Sequence, residues 1–257
     1  MHTFLRKIRR SFIEAGRTRK YILYAIGEIA LVVIGILIAL QINSWNEYQK
    51  ERKIEIQYLK EIKIELEISN DELQSDLNSH IRSMNKMIEV RDHILFKRPN
   101  NDSIAMSIFI SKGDYQAYTK TSSFENLKVL GMNILTNDDL ANDIGYNYGA
   151  QLTRILDRGD NSPKYDIELL LDPHIKKHLR IDDNSSSSLN TGLPEIKIWT
   201  YDWKIHNHKD LLEDDEFLRD LKLGMQLRAH KMRNHRITIS SFENTIQKIE
   251  EELRRRE

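Results

Sequence analysis

The stretch YILYAIGEIALVVIGILIALQI, residues 21–42, decides the fold, because Glu28 is its only charged residue. A helix of about 22 residues extends about 33 Å, which is enough to cross the hydrocarbon core of a bilayer. Tyr21 and Tyr24 at one end and Trp45 beyond the other suit the two aromatic belts of a membrane protein. The sequence therefore predicts one transmembrane helix over residues 21–42.

Two other readings of this stretch are disfavoured by the same residues. A core helix of a soluble protein rarely holds an uninterrupted apolar run of this length. A cleavable signal peptide has a shorter apolar region followed by small residues, whereas Ala39, Leu40 and Gln41 make a poor cleavage site. We therefore expect an anchor that stays in the protein.

Basic residues are concentrated before the predicted span. Seven precede Tyr21 against the single acid Glu14, while the fifteen residues after Ile42 contain three. Lysine and arginine near a span favour its cytoplasmic side. We therefore predict an inner-membrane, single-pass protein with a cytoplasmic N-terminus and a periplasmic domain after about residue 43.

The segment 1–20 contains a second candidate membrane element. Its apolar side chains share one helical face, and its basic side chains lie largely elsewhere. The apolar residues are Phe4, Leu5, Ile8, Phe12 and Ile13, and the basic ones are Arg6, Lys7, Arg9 and Arg10. The pattern predicts an amphipathic helix at the membrane interface, with its cations on anionic headgroups. A basic tail that only sets the topology is the alternative.

Glu28 shares one face of the predicted span with Gly35 and Ala39, each about 20° away at 100° per residue. Small residues let helices approach closely, and a carboxyl group there can hydrogen-bond across the interface. This face predicts packing against a membrane-protein partner or a second copy of the chain. In one alternative, Glu28 reaches the nearby headgroup region. In another, it carries protons in an ion-coupled, stator-like complex.

Two long helices are predicted beyond the span, over residues 43–98 and 211–257. Apolar residues recur in both at steps of three and four, which indicates a narrow buried stripe. The first stripe comprises Leu59, Ile62, Leu66, Leu73, Leu77, Ile81, Met84, Ile88 and Leu95. The second comprises Leu218, Leu221, Met225, Arg228, Met232, His235, Ile239, Phe242, Ile246, Ile249 and Leu253.

Each stripe must be buried against another surface. We expect the two helices to pack antiparallel in one chain, and a coiled coil between chains is the alternative. Arg228 and His235 interrupt the second stripe and are expected to fix its register at a cost in stability.

The middle region, residues 99–210, contains shorter predicted helices. One covers 122–130 and ends at Gly131, and a second begins after Asn137. The second would bury a stripe comprising Leu140, Ile144, Tyr148, Leu152 and Ile155.

Capping residues, prolines and residue patterns in the rest of this region predict two further helix starts, a loop and a strand. Ser162 and Asp172 each precede a proline and are expected to cap helices that begin there. A solvated loop is predicted over 182–192 and a short strand over 195–203.

The composition predicts no nucleic-acid partner and no cysteine chemistry. Lys plus Arg and Asp plus Glu each total 39, and cysteine is absent. Neither a glycine-rich phosphate loop nor a nucleophile-elbow motif occurs. We therefore predict no enzyme activity, no cofactor, and no catalytic or metal-binding residues.

Three polar clusters fit structural roles better than catalytic or metal-binding ones. His174 and His178 lie one helical turn apart but lack a third ligand at metal-binding spacing. The triplet at 206–208 lacks the surroundings of a nuclease motif. The acidic run at 213–216 suits a helix N-terminus better than a calcium loop.

Two stretches carry a family resemblance. KYILYAIGEIALVVIGILIALQINSWNE (20–47) and SFENLKVLGMNILTNDDLANDIGYNY (123–148) resemble DUF6090, an uncharacterised family of single-pass membrane proteins of the Bacteroidota. Gly27-Glu28, Gln41-Ile42-Asn43 and Trp45-Asn46-Glu47 are its most specific part. The resemblance implies a membrane location and a helical extracytoplasmic domain, and it implies no activity.

The sequence thus predicts an all-α protein with an N-terminal amphipathic helix, one transmembrane helix continuing into a long helix, and an antiparallel helical bundle outside the cytoplasm. The expected function is that of a membrane-anchored scaffold or sensor module whose partners are the lipid bilayer and a membrane protein or second copy. A subunit of an ion-coupled complex using Glu28 is the alternative.

Overall fold

The computed structural model describes residues 18–115, 118–159, 166–190 and 197–256. The chain divides into two compact units, Met1–Gln57 and Tyr58–Glu257. Helices dominate the described residues, which confirms the all-α class. The predicted amphipathic helix at 1–20 lies outside the described residues, except for the last three positions.

The elements follow one another in this order: α1 (Thr18–Leu95), α2 (Asp102–Ser111), α3 (Ser122–Leu130), a 3-10 turn (Met132–Ile134), α4 (Asp138–Tyr146), a π-helical segment (Asn147–Gln151), α5 (Leu152–Gly159), α6 (Ile167–His178), β1 (Leu179–Asn190), β2 (Lys197–Ile205), α7 (His208–Leu212) and α8 (Asp215–Arg254). The described part of the first unit consists of α1 up to Gln57, and the second unit contains all the other elements.

Within the second unit, α1 and α8 pack antiparallel. Lys63 Nζ lies 3.0 Å from a carboxylate oxygen of Glu250. Further along α1, His80 Nδ1 lies 3.1 Å from Arg228 Nη1. Residue numbers therefore rise on one helix as they fall on the other, and the predicted pairing within one chain is confirmed.

Two apolar cores flank the middle of this helix pair. The first lies beneath α3, α4 and α5, and its central residues are Leu59, Ile62, Leu66, Leu127, Ile144 and Phe242. The second lies beneath α2, α6 and α7, and its central residues are Met87, Val90, Ile108, Leu171, Phe217 and Leu221. Polar side chains occupy the buried space between the two sets.

The predicted stripe of α1 was wrong beyond Leu77, which is half-buried against the first core. Ile81, Met84 and Ile88 are only half-buried, and Leu95 is 47% exposed. The fully buried face continues instead through His80, Ser83, Met87, Val90 and Ile94. Two of these positions, His80 and Ser83, are polar. The apolar residues that define the predicted stripe, such as Ile81 and Met84, therefore lie one position later, on the neighbouring face of the helix.

The prediction that Asp172 caps a helix was also wrong. The cap of α6 is Asp166, whose carboxylate accepts a hydrogen bond from Leu169 N at 2.8 Å, and Pro173 lies inside the helix. A proline there removes one backbone donor but does not end the helix. The predicted cap Ser162 lies outside the described residues.

The loop predicted over 182–192 was wrong for residues 182–190, which belong to β1. β1 pairs antiparallel with β2, from Leu179 opposite Ile205 to Asn190 opposite Lys197, with an irregularity between Ile181 and Ser186. β2 confirms a strand close to the predicted 195–203. Serine runs favour loops on composition alone, and here pairing with a partner strand outweighs that preference.

The helix limits at α3 and α4 are confirmed. α3 ends at Leu130, and Gly131 follows with φ of 107°. Asn137 caps α4 by accepting a hydrogen bond from Leu140 N at 3.1 Å. The five predicted stripe residues from Leu140 to Ile155 are all buried. The sequence did not reveal the π-helical segment between α4 and α5, where Asn147 donates to Thr245 and accepts from Ser241.

Gly131→Ala is expected to destabilise the second unit by about 1–3 kcal/mol, because its φ is strained for an L side chain. An added Cβ would also clash with the side-chain oxygen of Asn133. Gly145→Ala in α4 is the control, since a Cβ there meets nothing within 4 Å. It should be neutral or stabilising by up to about 1 kcal/mol. Urea denaturation of the chain in detergent measures both, and a neutral Gly131→Ala would contradict the strain.

Candidate functional site

The first candidate surface is the apolar part of α1. Every large apolar side chain described between Ile22 and Ile42 is exposed, with exposed fractions from 41% to 74%. By length and composition, this helix can cross a membrane. No other part of the described first unit covers it, and an exposed apolar surface of this size is typical of a membrane or protein contact.

The structure places Glu28, Gly35 and Ala39 in this exposed part of α1, and helical spacing puts them on one face. A Cβ built on Gly35 would meet no atom within 4 Å, and the same holds for Gly27. Within the described residues, this face is therefore open to close approach by a second helix.

The predicted membrane-interface residues are only partly described. Tyr24 is 41% exposed and Trp45 is 64% exposed, as suits side chains placed in headgroup regions. Arg6, Lys7, Arg9 and Arg10 lie outside the described residues, and so does the side chain of Tyr21. The second candidate site lies in the other unit.

We call the buried side chains between the two cores the polar layer. It comprises the buried residues His80, Arg228, Lys231, His235 and Thr238 and the half-buried Asp114, contributed by α1, the segment after α2, and α8. Four of these residues recur on α8 at steps of three and four, so one helical face presents them to α1.

Arg228 is the centre of the polar layer and is fully buried. Its guanidinium donates to the carbonyl oxygens of Ser111 and Gly113 at 3.0 and 2.7 Å, and to His80 Nδ1 at 3.1 Å. Burial lowers the pKa of Arg228 to about 10, against the opposing effect of Asp114. The guanidinium is therefore still protonated at neutral pH, and carbonyl dipoles satisfy its donors in place of a carboxylate.

These contacts fix the tautomers of the two histidines. Arg228 can only donate, so His80 Nδ1 accepts, and the proton of the neutral ring sits on Nε2. His235 Nδ1 faces the carbonyl of Lys231 at 3.0 Å and must donate, which leaves its Nε2 as an acceptor. Within the described residues, neither Nε2 nor the Thr238 hydroxyl has a hydrogen-bond partner.

Both imidazoles are held neutral. Burial first, then the positive charge of Arg228, lowers the pKa of His80 to about 2. Burial also lowers the pKa of His235, despite its bond to the Lys231 carbonyl. The two rings meet edge to face with centroids 5.2 Å apart. Protonation of either would add a cation beside Arg228 in a buried space.

Lys231 and Asp114 form the ion pair of the polar layer. Lys231 Nζ lies 2.6 Å from both carboxylate oxygens of Asp114. Asp114 Oδ2 also accepts from the backbone N–H of Ile167 at 3.3 Å, at the start of α6. Together with the Arg228 contacts, this pair fixes residues 111–114 against α8. The polar layer therefore specifies how α1, α2, α6 and α8 meet, whatever its net effect on stability.

A second buried carboxylate organises the first core. Glu65 accepts from the Ser122 hydroxyl at 2.9 Å, from Ser123 N at 3.1 Å and from the Tyr148 hydroxyl at 3.1 Å. Burial, then the charge of Glu65, raises the pKa of Tyr148 above its ordinary value. Glu65 thus satisfies the N-terminus of α3 and ties it to the π-helical segment.

The structure separates His174 and His178 rather than joining them on one metal. His174 Nε2 lies 2.9 Å from Asp220, and His178 Nε2 lies 2.6 Å from Asp214. Among the described residues, no group of three or more His, Asp or Glu could hold a metal ion. Asp214 also caps α8 by accepting from Phe217 N, which confirms the acidic run as a helix N-terminus.

In the triplet at 206–208, Asn207 caps α7, and His208 Nε2 lies 2.8 Å from His93 Nε2. Sequence reasoning singled out Arg228 and His235 but missed His80, Asp114 and Glu65. For His80 a signal existed, since it lies seven residues after Leu73 and seven before Met87, both of which are fully buried on the same helix. For Asp114 and Glu65 no local pattern indicated burial.

Comparisons with known proteins add a family and nothing more specific. No curated protein and no solved structure gives a significant match to the chain. The model of a family of unknown function matches residues 28–129, from Glu28 in the apolar part of α1 to the last turn of α3. The family resemblance seen in the sequence is thereby confirmed: over residues 28–129 this chain matches DUF6090, a family of unknown function.

Proposed function

We propose that this protein is a membrane-anchored helical interaction module, a scaffold or sensor rather than an enzyme. The observation that carries the proposal is the apolar part of α1, whose large side chains from Ile22 to Ile42 are all exposed. Transfer of apolar surface out of water is worth roughly 25 cal/mol per Å², so a helix like this one is stable only in lipid or against another protein.

The charge distribution supports an inner-membrane location with a cytoplasmic N-terminus and a periplasmic second unit. Seven basic residues precede Tyr21, and only three follow in the first fifteen residues after Ile42. Alkaline carbonate extraction of membranes tests the anchor, and protease added to opened cells tests the orientation. Release of the intact protein, or protection of residues 58–257 from external protease, would refute the proposal.

The partner surface that we propose within the membrane is the face of Glu28, Gly35 and Ala39. Its support is that a Cβ at Gly35 has no neighbour within 4 Å, so a second helix can come close. A carboxyl group on such a face can hydrogen-bond to the partner. The partner is a membrane protein or a second copy of this chain.

Gly35→Leu is expected to reduce in-membrane contact between helices at least about tenfold, because a large side chain prevents close packing. A photo-crosslinking residue at position 39 reports the contact. Val33→Leu, about 140° around the helix from Glu28, is the control and should leave the crosslink unchanged. Glu28→Gln retains a hydrogen-bonding group and should also preserve it. Equal crosslinking in the Gly35 and Val33 variants would contradict a specific packing face.

A further inference from the structure

Beside the polar layer, the paired helices α1 and α8 leave an open groove. Its volume is about 470 Å³, and its lining is Met84, Ala229, Met232, Arg233, Arg236 and Ile237. A neighbouring groove of about 250 Å³ shares Arg236 and leads on to Gln74, Ser240 and Glu243. The two grooves therefore follow the line between the helices, with thioether and aliphatic groups at one end and arginines along the edge.

The surroundings of this groove are strongly basic. No acidic residue occurs on α8 between Asp220 and Glu243, or on α1 between Asp76 and Glu89. The same two stretches contain seven basic residues, of which Arg228 and Lys231 are buried in the polar layer and the other five are Arg82, Lys86, Lys222, Arg233 and Arg236. Among the described residues, Lys86 pairs with Glu89 and Lys231 with Asp114. Within that same part of the chain, Arg233 and Arg236 are exposed and form no ion pair.

We propose that this groove docks an acidic amphipathic helix of a partner protein. Arg233 and Arg236 lie three residues apart on α8, so their guanidinium groups can meet carboxylates spaced by one turn on a second helix. The apolar side chains of that helix would lie between Met84, Met232 and Ile237. Charge complementarity selects this partner, and it also accelerates encounter at low ionic strength.

The apolar lining argues against a site for free anions. A phosphate or another small anion would gain nothing from Met232 and Ile237, whereas a helix with alternating apolar and acidic faces uses both kinds of contact. The groove lies wholly in the second unit. The inference therefore goes beyond the proposed membrane anchor and does not depend on it.

The test uses the full chain in a neutral detergent and a fluorescent synthetic helix of about 18 residues, with leucine along one face and glutamate on its flanks. Anisotropy should report saturable binding that weakens as salt rises. The double variant Arg233→Gln with Arg236→Gln should bind roughly tenfold more weakly. The control, Arg82→Gln with Lys222→Gln, removes the same charge from the same helices outside the groove and should stay within about twofold.

Two altered peptides separate the contribution of charge to binding from that of apolar contact. Replacing the glutamates with glutamine, or the leucines with serine, should each weaken binding to the wild-type chain. Three results would overturn the proposal: no binding of the original peptide, equal losses in the two double variants, or full binding of the serine peptide. The last two would indicate a general basic surface. Because carbonate extraction tests the anchor separately, failure here leaves that proposal intact.

Discussion

Arg228→Ala is expected to lower the free energy of unfolding of the second unit by about 3–5 kcal/mol. The side chain is fully buried. Its loss leaves the carbonyl groups of Ser111 and Gly113 without donors, His80 Nδ1 without its partner, and a cavity between the two cores. Urea denaturation of the chain in detergent, followed by circular dichroism, measures the change.

Two further substitutions separate burial from charge in this prediction. Arg228→Met retains much of the volume and removes the buried charge, so it should lose about half as much stability as alanine does. Arg233→Ala, on the exposed side of the same helix, should change stability by no more than about 0.5 kcal/mol. If Arg228→Ala cost as little as Arg233→Ala, the polar layer would have no structural role.

Acidification is expected to destabilise the second unit below about pH 6.5. The pKa values of His80, His93, His178 and His235 are all lowered, with burial as the main cause. An unfolded chain binds protons at these rings below their ordinary pKa, whereas the folded chain does not. Their contribution is therefore complete above about pH 6.5 and is lost as the pH falls toward the folded values.

His80 determines the expected size of this loss of stability, because its pKa is lowered to about 2. It alone should cost about 1.4 kcal/mol per pH unit, or about 2 kcal/mol between pH 6.5 and pH 5. The carboxylates with lowered pKa values, such as Asp214 and Glu252, lose their contributions only below their ordinary values near 4. The change in stability between about pH 6.5 and 4.5 therefore reports the protonation of the histidines.

Urea midpoints across that range measure the slope of stability against pH. His235→Gln should flatten the slope, because one proton fewer is taken up on unfolding. His230→Gln is the control, since that side chain is exposed and should leave the slope unchanged. A stability that stays level down to about pH 5 would show that these imidazoles are not buried in the neutral form.

Features that depend on neighbours in sequence could be predicted. The cap at Asn137, the end of α3 at Gly131 and the helix start at the acidic run 213–216 follow from local backbone chemistry. The apolar span and the antiparallel helix pair follow from hydropathy and spacing. The same spacing also places Arg228 and His235 in a buried stripe.

Features that depend on distant partners could not be predicted in this way. Ser83 is buried because its hydroxyl donates to the carbonyl of Ile110, 27 residues further along the chain. Asp114 is held by Lys231 from another element. The serine run in β1 becomes a strand because β2 pairs with it. In each case the partner decides the outcome, and an apolar pattern contains no information about it.

The π-helical segment at 147–151 has a consequence for how this domain accommodates changes in length. From Leu140 to Leu152 the buried stripe advances by three steps of four residues, which would turn it by roughly 120° in a regular α-helix. The wider i to i+5 turn absorbs part of that rotation, so all the stripe residues still reach the core. Removing one residue here, Gly149 for example, would yield an ordinary α-helix with the same buried face. The same deletion in the middle of α8 would rotate every later side chain by about 100°. Homologues that differ in length by one residue should therefore carry the difference at this turn.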